Sequence, residues 1–81
     1  MDIYVGNIPY GLSEDELKKT FEVHGAVTSA RIIKDKETGR SKGFGFVNMP
    51  NNEEAQTAIK EMDGHDYNGR PLRVNEARGR N

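Results

Sequence analysis

Residues 42–49, Lys-Gly-Phe-Gly-Phe-Val-Asn-Met, constrain the fold more than any other stretch of the chain. The run ends at Pro50 and reads as a strand. Period-two alternation sets Lys42, Phe44, Phe46 and Asn48 on one face and Gly43, Gly45, Val47 and Met49 on the other. Lysine and asparagine sit poorly in a core without partners. Two glycines suit a place where helices press close to a sheet. The face with both phenylalanines is therefore expected to be uncovered. Aromatics are scarce, with three Phe, three Tyr and no Trp. A chain that sets two of them on the open side of one strand needs a sheet with one covered and one open face.

The remaining segments supply that sheet and its cover. Ile3–Ile8 reads as a strand closed by Pro9. Ser13 and Glu16 have the spacing of a capping box, with Leu12 and Leu17 as a hydrophobic staple, so residues 14–24 are expected to be helical, with Gly25 as the stop. A second strand covers about Val27–Lys34. Val27 has the wrong parity for the Ala30 and Ile32 face, which requires a bulge or a later start. After the third strand, Asn51 and Glu54 repeat the cap spacing. Ala55, Ala58, Ile59 and Met62 then form a helical stripe ended by Asp63-Gly64. Asn68-Gly69 predicts a tight hairpin, and Pro71–Glu76 a last strand. The order is β-α-β-β-α-β. It implies an α+β fold, the ferredoxin-like split βαβ sandwich, with a four-stranded antiparallel sheet and two helices on one face.

In that layout the first and third strands are neighbours at the centre of the sheet. With Ile3 and Val5 in the core, Tyr4 faces the open side beside Phe44 and Phe46, and Ile8 needs a bend at the strand end to return inward. Three clustered rings flanked by cations form a surface on which nucleic-acid bases stack. An open apolar patch on a small domain otherwise calls for a loop, a terminal helix or a second subunit to cover it.

Composition sets limits. At 81 residues the chain is one small domain, and with no cysteine it has neither disulfides nor thiolate chemistry. The longest apolar run is Ile3-Tyr4-Val5, so no membrane span is expected. Met1-Asp2 lead directly into the first strand without a signal-like segment, and the expectation is a soluble cytoplasmic domain. The net charge of -1 is unevenly distributed. Residues 1–30 carry -3, 31–49 carry +3, 50–69 carry -4 and 70–81 carry +3. The acids fall on the helices and the bases on the strands, loop and tail.

Lys42–Met49 resembles the octamer of the RNA recognition motif family, K/R-G-F/Y-G/A-F-V-x-F/Y, departing only at Met49, which has core parity. Ile3-Tyr4-Val5-Gly6-Asn7-Ile8 is similar to the family's hexamer motif. The resemblance spans residues 2–77 and extends to the small single-domain RNA-binding proteins of bacteria and to the RNA-binding half of plant glycine-rich proteins. It implies stacking roles for Tyr4, Phe44 and Phe46 and a phosphate contact for Lys42. It also implies base contacts, partly through main chain, at Glu76, Ala77 and Arg78.

Parity adds Arg31 and Ile33 in the second strand, Asn48 in the third, and Arg73 and Asn75 in the last to the open face. Arg78 and Arg80 are candidate phosphate contacts in the tail, Arg40 is one in the loop before the octamer, and Asn7 serves either a turn or the ligand. The domain is expected over residues 1–77, with 78–81 a short basic tail. The expected partner is single-stranded RNA, with single-stranded DNA as a second candidate, bound by a monomer acting in post-transcriptional regulation or as an RNA chaperone.

Other readings are weaker. Asp35–Gly39 begins like a calcium loop, but Phe46 stands where the bidentate Glu belongs. Gly43-Phe44-Gly45 lacks the third glycine of a dinucleotide fingerprint. His24 and His65 have no ligand cluster around them, so no metal and no cofactor is expected. A cold-shock barrel shares the K-G-F-G-F segment, but the two capped helices oppose an all-β fold. A protein-interaction module on the same fold would use the same aromatic face or the helices. A phosphatase of the acylphosphatase type needs an Arg in the loop after the first strand, and Gly6–Gly11 contains none. An enzyme is therefore not expected.

Overall fold

A computed structural model describes residues 1–39, 41–67 and 69–77, the side chains of Ser41 and Lys42 excepted. The elements run β1 (Asp2–Gly6), α1 (Glu14–Glu22), β2 (Ser29–Lys34), β3 (Ser41–Asn48), α2 (Asn52–Met62), β4 (Asp66–Tyr67), β5 (Arg70–Pro71) and β6 (Arg73–Glu76). Four strands form an antiparallel sheet in the order β2-β3-β1-β6, and β4 and β5 form a separate small hairpin. This is the expected ferredoxin-like sandwich, with β3 and β1 at its centre.

The core lies between the sheet and the helices. Ile3, Val5, Ile32, Val47 and Val74 from the sheet meet Leu17 and Phe21 of α1 and Ala55, Ala58 and Met62 of α2. Ile8, Leu12, Met49 and Leu72 complete it from the connecting segments. Ala55, Ala58 and Met62 form the buried stripe of α2. Phe21 is the largest of the fully buried side chains.

Local sequence explains the helix starts. Ser13 Oγ accepts from the Glu16 N–H at 3.1 Å, and Glu16 Oε1 accepts from the Ser13 N–H at 3.0 Å, a complete capping box. Asn51 Oδ1 accepts from the Glu54 N–H at 3.0 Å. The Glu54 carboxylate instead crosses to the Ala26 N–H at 3.1 Å. A side chain at Gly25 would collide with it.

Several boundaries differ from the sequence reading, each for a visible reason. β1 stops at Gly6 because Asn7 adopts φ +58, and this left-handed residue supplies the bend that buries Ile8. β2 starts late, at Ser29, which resolves the parity conflict at Val27. A register shift between Ile32 and Lys34 marks an irregularity near its end. The single strand expected over 71–76 is broken at Leu72, whose N–H donates to the His65 carbonyl while its own carbonyl accepts from the Gly64 N–H. The hairpin closes as expected, with Tyr67 opposite Arg70 and Gly69 at φ +86; Asn68 lies outside the described residues.

The two glycines of β3 also need a different explanation from close helix packing. Gly43 takes φ +85, which a residue with a Cβ rarely adopts. A Cβ at Gly45 would run into the Arg31 carbonyl of β2, so the neighbouring strand, not a helix, fills that space.

Both outer strands have one backbone donor closed by an acid. Glu14 Oε2 accepts from the Ile32 N–H at 2.9 Å on β2. Asp63 Oδ1 accepts from the Val74 N–H at 3.0 Å on β6.

Candidate nucleic-acid interface

The open face is built in rows across the strands. Residues paired across antiparallel strands share a face. The middle row runs Arg31, Phe46, Tyr4, Asn75. The row towards the N-terminal end of β1 carries Ser29, Asn48 and Asp2, where Asn48 Nδ2 donates to Asp2 Oδ1 at 2.7 Å. The opposite row sets Phe44 beside Gly6 and Gly6 beside Arg73.

Three rings occupy the centre. The Tyr4 and Phe44 centroids are 5.9 Å apart with ring planes inclined by 31°. Phe46 meets Tyr4 edge-on at 6.0 Å and Phe44 edge-on at 6.1 Å. This near-equilateral triangle of half-buried rings lies opposite the helices. Gly6 makes the arrangement possible. A Cβ there would fall 2.6 Å from the Tyr4 hydroxyl oxygen and 2.9 Å from a ring carbon, so the Tyr4 ring lies over the glycine.

Two shallow concavities flank the triangle. One, of about 290 Å³, is lined by Asp2, Ser29, Arg31, Ile33, Phe46 and Asn48. The other, of about 420 Å³, is lined by Tyr4, Asn7, Tyr10, Gly43, Phe44, Arg70 and Arg73. The open face therefore offers planar apolar surface at its centre, with arginines on either side. That combination suits unstacked bases joined by phosphates.

The residues expected from sequence divide as follows. Tyr4, Phe44, Phe46, Arg31, Ile33, Asn48, Arg73 and Asn75 share the open face. Asn7 reaches the same region, but its Nδ2 donates to the Pro71 carbonyl at 2.8 Å, tying the β1–α1 loop to the small hairpin. Glu76 pairs with Ile3 and so takes the helix-side parity, leaving its main chain as the part nearest the open face. The Ala77 N–H donates to the Asp2 carbonyl at 2.9 Å and continues the β6 pairing. Arg40, Arg78 and Arg80, and the side chain of Lys42, lie outside the described residues.

Sequence reading did not single out Tyr10 and Arg70. Tyr10 is 69% exposed, and the Arg70 guanidinium carbon stands 5.5 Å from its ring centroid. A bulky aromatic between Pro9 and Gly11, outside any helical stripe or strand, is the signal that could have found it.

The weaker chemistries gain no support. Asp35 Oδ1 accepts from the N–H groups of Glu37 (2.8 Å) and Thr38 (3.4 Å), so this carboxylate organises a turn. Among the described residues no group of three His, Cys, Asp or Glu could hold a metal ion. No helix among them is long and apolar enough to cross a membrane.

Comparison with known proteins agrees with the geometry. The family model described as RNA recognition motif matches residues 3–73. The putative RNA-binding protein RbpE of Nostoc is 46% identical over 80 residues, covering 99% of this chain and 81% of that protein. The 31 kDa chloroplast ribonucleoprotein of Nicotiana sylvestris is 51% identical over 78 residues. The chain covers 96% of its own length in that match but spans only a quarter of the ribonucleoprotein. The crystal structure of RNA-binding protein PG1 superposes with a TM-score of 0.94 at 49% identity, covering 100% of this chain and 98% of that one. A Sxl-lethal protein solved as a complex with RNA gives 0.91 at 31%, covering 96% and 47%. The two central strands that bear the aromatic triangle also bear the two signature motifs, and the chain belongs to the RNA recognition motif family.

Proposed function

We propose that this protein binds single-stranded RNA on the open face of its sheet. The observation that carries the proposal is the ring triangle of Tyr4, Phe44 and Phe46, at 5.9–6.1 Å spacing on two adjacent central strands. The RNA named in the Sxl-lethal complex, and the RNA-binding names of RbpE and PG1, support the same ligand class. Family membership, rather than any missing catalytic cluster, sets enzymatic activity aside.

In this reading bases stack on the three rings. Arg31 and Arg73 flank the stack and neutralise phosphates together with Lys42, Arg40, Arg78 and Arg80. Asn48, Asn75 and the main chain at Glu76 and Ala77 meet base edges, and Ile33 and Asn7 border the strand of RNA. The working unit is residues 1–77, acting as a monomer, with the basic tail adding phosphate contacts. The platform accommodates about two to four nucleotides. Stacking tolerates every base and single-stranded DNA alike, which suits a chaperone or a regulator of transcripts more than a reader of one sequence.

Titration of a fluorescent RNA pool at two salt concentrations tests this. We expect saturable binding that weakens with salt, and a loss of about 1–3 kcal/mol for each of Phe44→Ala and Phe46→Ala. Binding unchanged in the double variant would refute the assignment.

A further inference from the structure

One margin of the open face carries a negative charge, where a surface for a polyanion has least use for one. Asp2 stands in a row with Asn48 and Ser29 and lines the concavity of about 290 Å³ together with Arg31, Ile33 and Phe46. Asn48 Nδ2 donates to Asp2 Oδ1 at 2.7 Å. That bond is not needed to join the strands, because β1 and β3 are already paired along their backbones from Asp2 and Asn48 to Gly6 and Phe44. Its effect is orientation. A carboxylate only accepts, so the Asn48 nitrogen is turned towards it and the Asn48 oxygen remains a second acceptor. This margin therefore sets acceptors beside a stacking ring, while Arg31, opposite Phe46 on β2, supplies a cation to the same concavity.

A carboxylate repels phosphate, so the part of a bound strand that suits it is a base edge bearing N–H groups. Single-stranded RNA leaves the Watson–Crick edges free to be read. Guanine sets N1–H and N2–H side by side, a match for the two oxygens of a carboxylate. Adenine and cytosine each place one amino donor beside a ring nitrogen that accepts. Uracil holds one N–H between two carbonyls. All three therefore turn an acceptor towards the carboxylate.

Resting on the RNA-binding reading above, we propose that Asp2, oriented by Asn48, selects guanine at the position stacked on Phe46. Guanine N1–H and N2–H donate to the Asp2 carboxylate, and Arg31 meets an adjoining phosphate. One position of the bound strand is thereby biased, and the bases elsewhere on the platform stay unselected.

The test uses fluorescein-labelled oligouridylates of about five nucleotides, in which one residue at a time is replaced by guanosine, inosine, adenosine or cytidine, titrated at low salt. For the wild-type chain we expect guanosine at one position to tighten binding about tenfold, the discrimination of a good bidentate pair. Inosine, which lacks the N2 amino group, should recover only part of that step. Asp2→Ala should bind the guanosine and all-uridine strands alike, and Asn48→Ala should reduce the step. Asp2→Asn keeps the side-chain volume but offers one acceptor, so it should lose the guanosine preference too, with its urea midpoint checking the fold. Equal binding of every substituted strand by the wild type overturns the proposal. So does a guanosine step that survives in Asp2→Ala, or inosine bound as tightly as guanosine, a comparison that needs no variant. Each of these outcomes leaves RNA binding itself standing. Failure of the wild type to bind any of the strands overturns the RNA-binding reading, and the guanine site with it.

Discussion

Gly6 and Tyr4 act as a pair. The ring lies over the glycine, with its hydroxyl end where a Cβ would stand. The colliding atoms are the far end of a movable side chain, so adding a methyl group shifts the ring more than it strains the sheet. We expect Gly6→Ala to fold with a nearly unchanged urea midpoint and to lose about 1 kcal/mol of RNA affinity, read by anisotropy. Asn7 shows the opposite balance. Its left-handed backbone and its bond to Pro71 both serve the bend after β1. Asn7→Val should therefore cost about 1–2 kcal/mol or more in urea unfolding, whereas Asn7→Gly keeps the backbone and loses only the side-chain bond. Parity arguments found the open-face side chains because alternation along a strand is a local property. They missed the Tyr10–Arg70 pair because sixty positions of chain separate two residues that only the folded loops bring together.

Helices and strands were legible to different degrees. The start of α1 could be read directly, since a capping box and its staple are matters of spacing within one turn. Ser13→Ala should destabilise the protein by about 1 kcal/mol in urea. The second cap was only half legible, because Glu54 satisfies Ala26 across the molecule instead of its own helix. The meaning of the β3 glycines was misread for a related reason. Sequence shows that a side chain is missing, but not which neighbour occupies the space. With the Arg31 carbonyl there, Gly45→Val should separate β2 from β3 and cost about 1–3 kcal/mol, with the urea midpoint falling accordingly. The split of the last strand at Leu72 was hidden because one buried leucine fits a continuous strand and an inward turn equally well.

For the whole molecule, a net charge of -1 conceals blocks of alternating sign along the chain, with acids in the first turn of both helices. Three of those acids also have structural tasks. Glu14, Glu16 and Glu54 each accept from a backbone N–H outside the ordinary helix pattern. Removing them to make the protein more cationic would therefore loosen it. Binding should weaken linearly on a logarithmic salt axis, with a slope of about -0.7 for each phosphate neutralised. The bonds from Glu14 to Ile32 and from Asp63 to Val74 have a further consequence. Each lies on one margin of the sheet and occupies a donor that an incoming strand would need. An incoming strand that extends the ladder would therefore meet one donor already occupied on each margin. Replacing both acids by alanine should free both donors, and concentration-dependent self-association in sedimentation would reveal it.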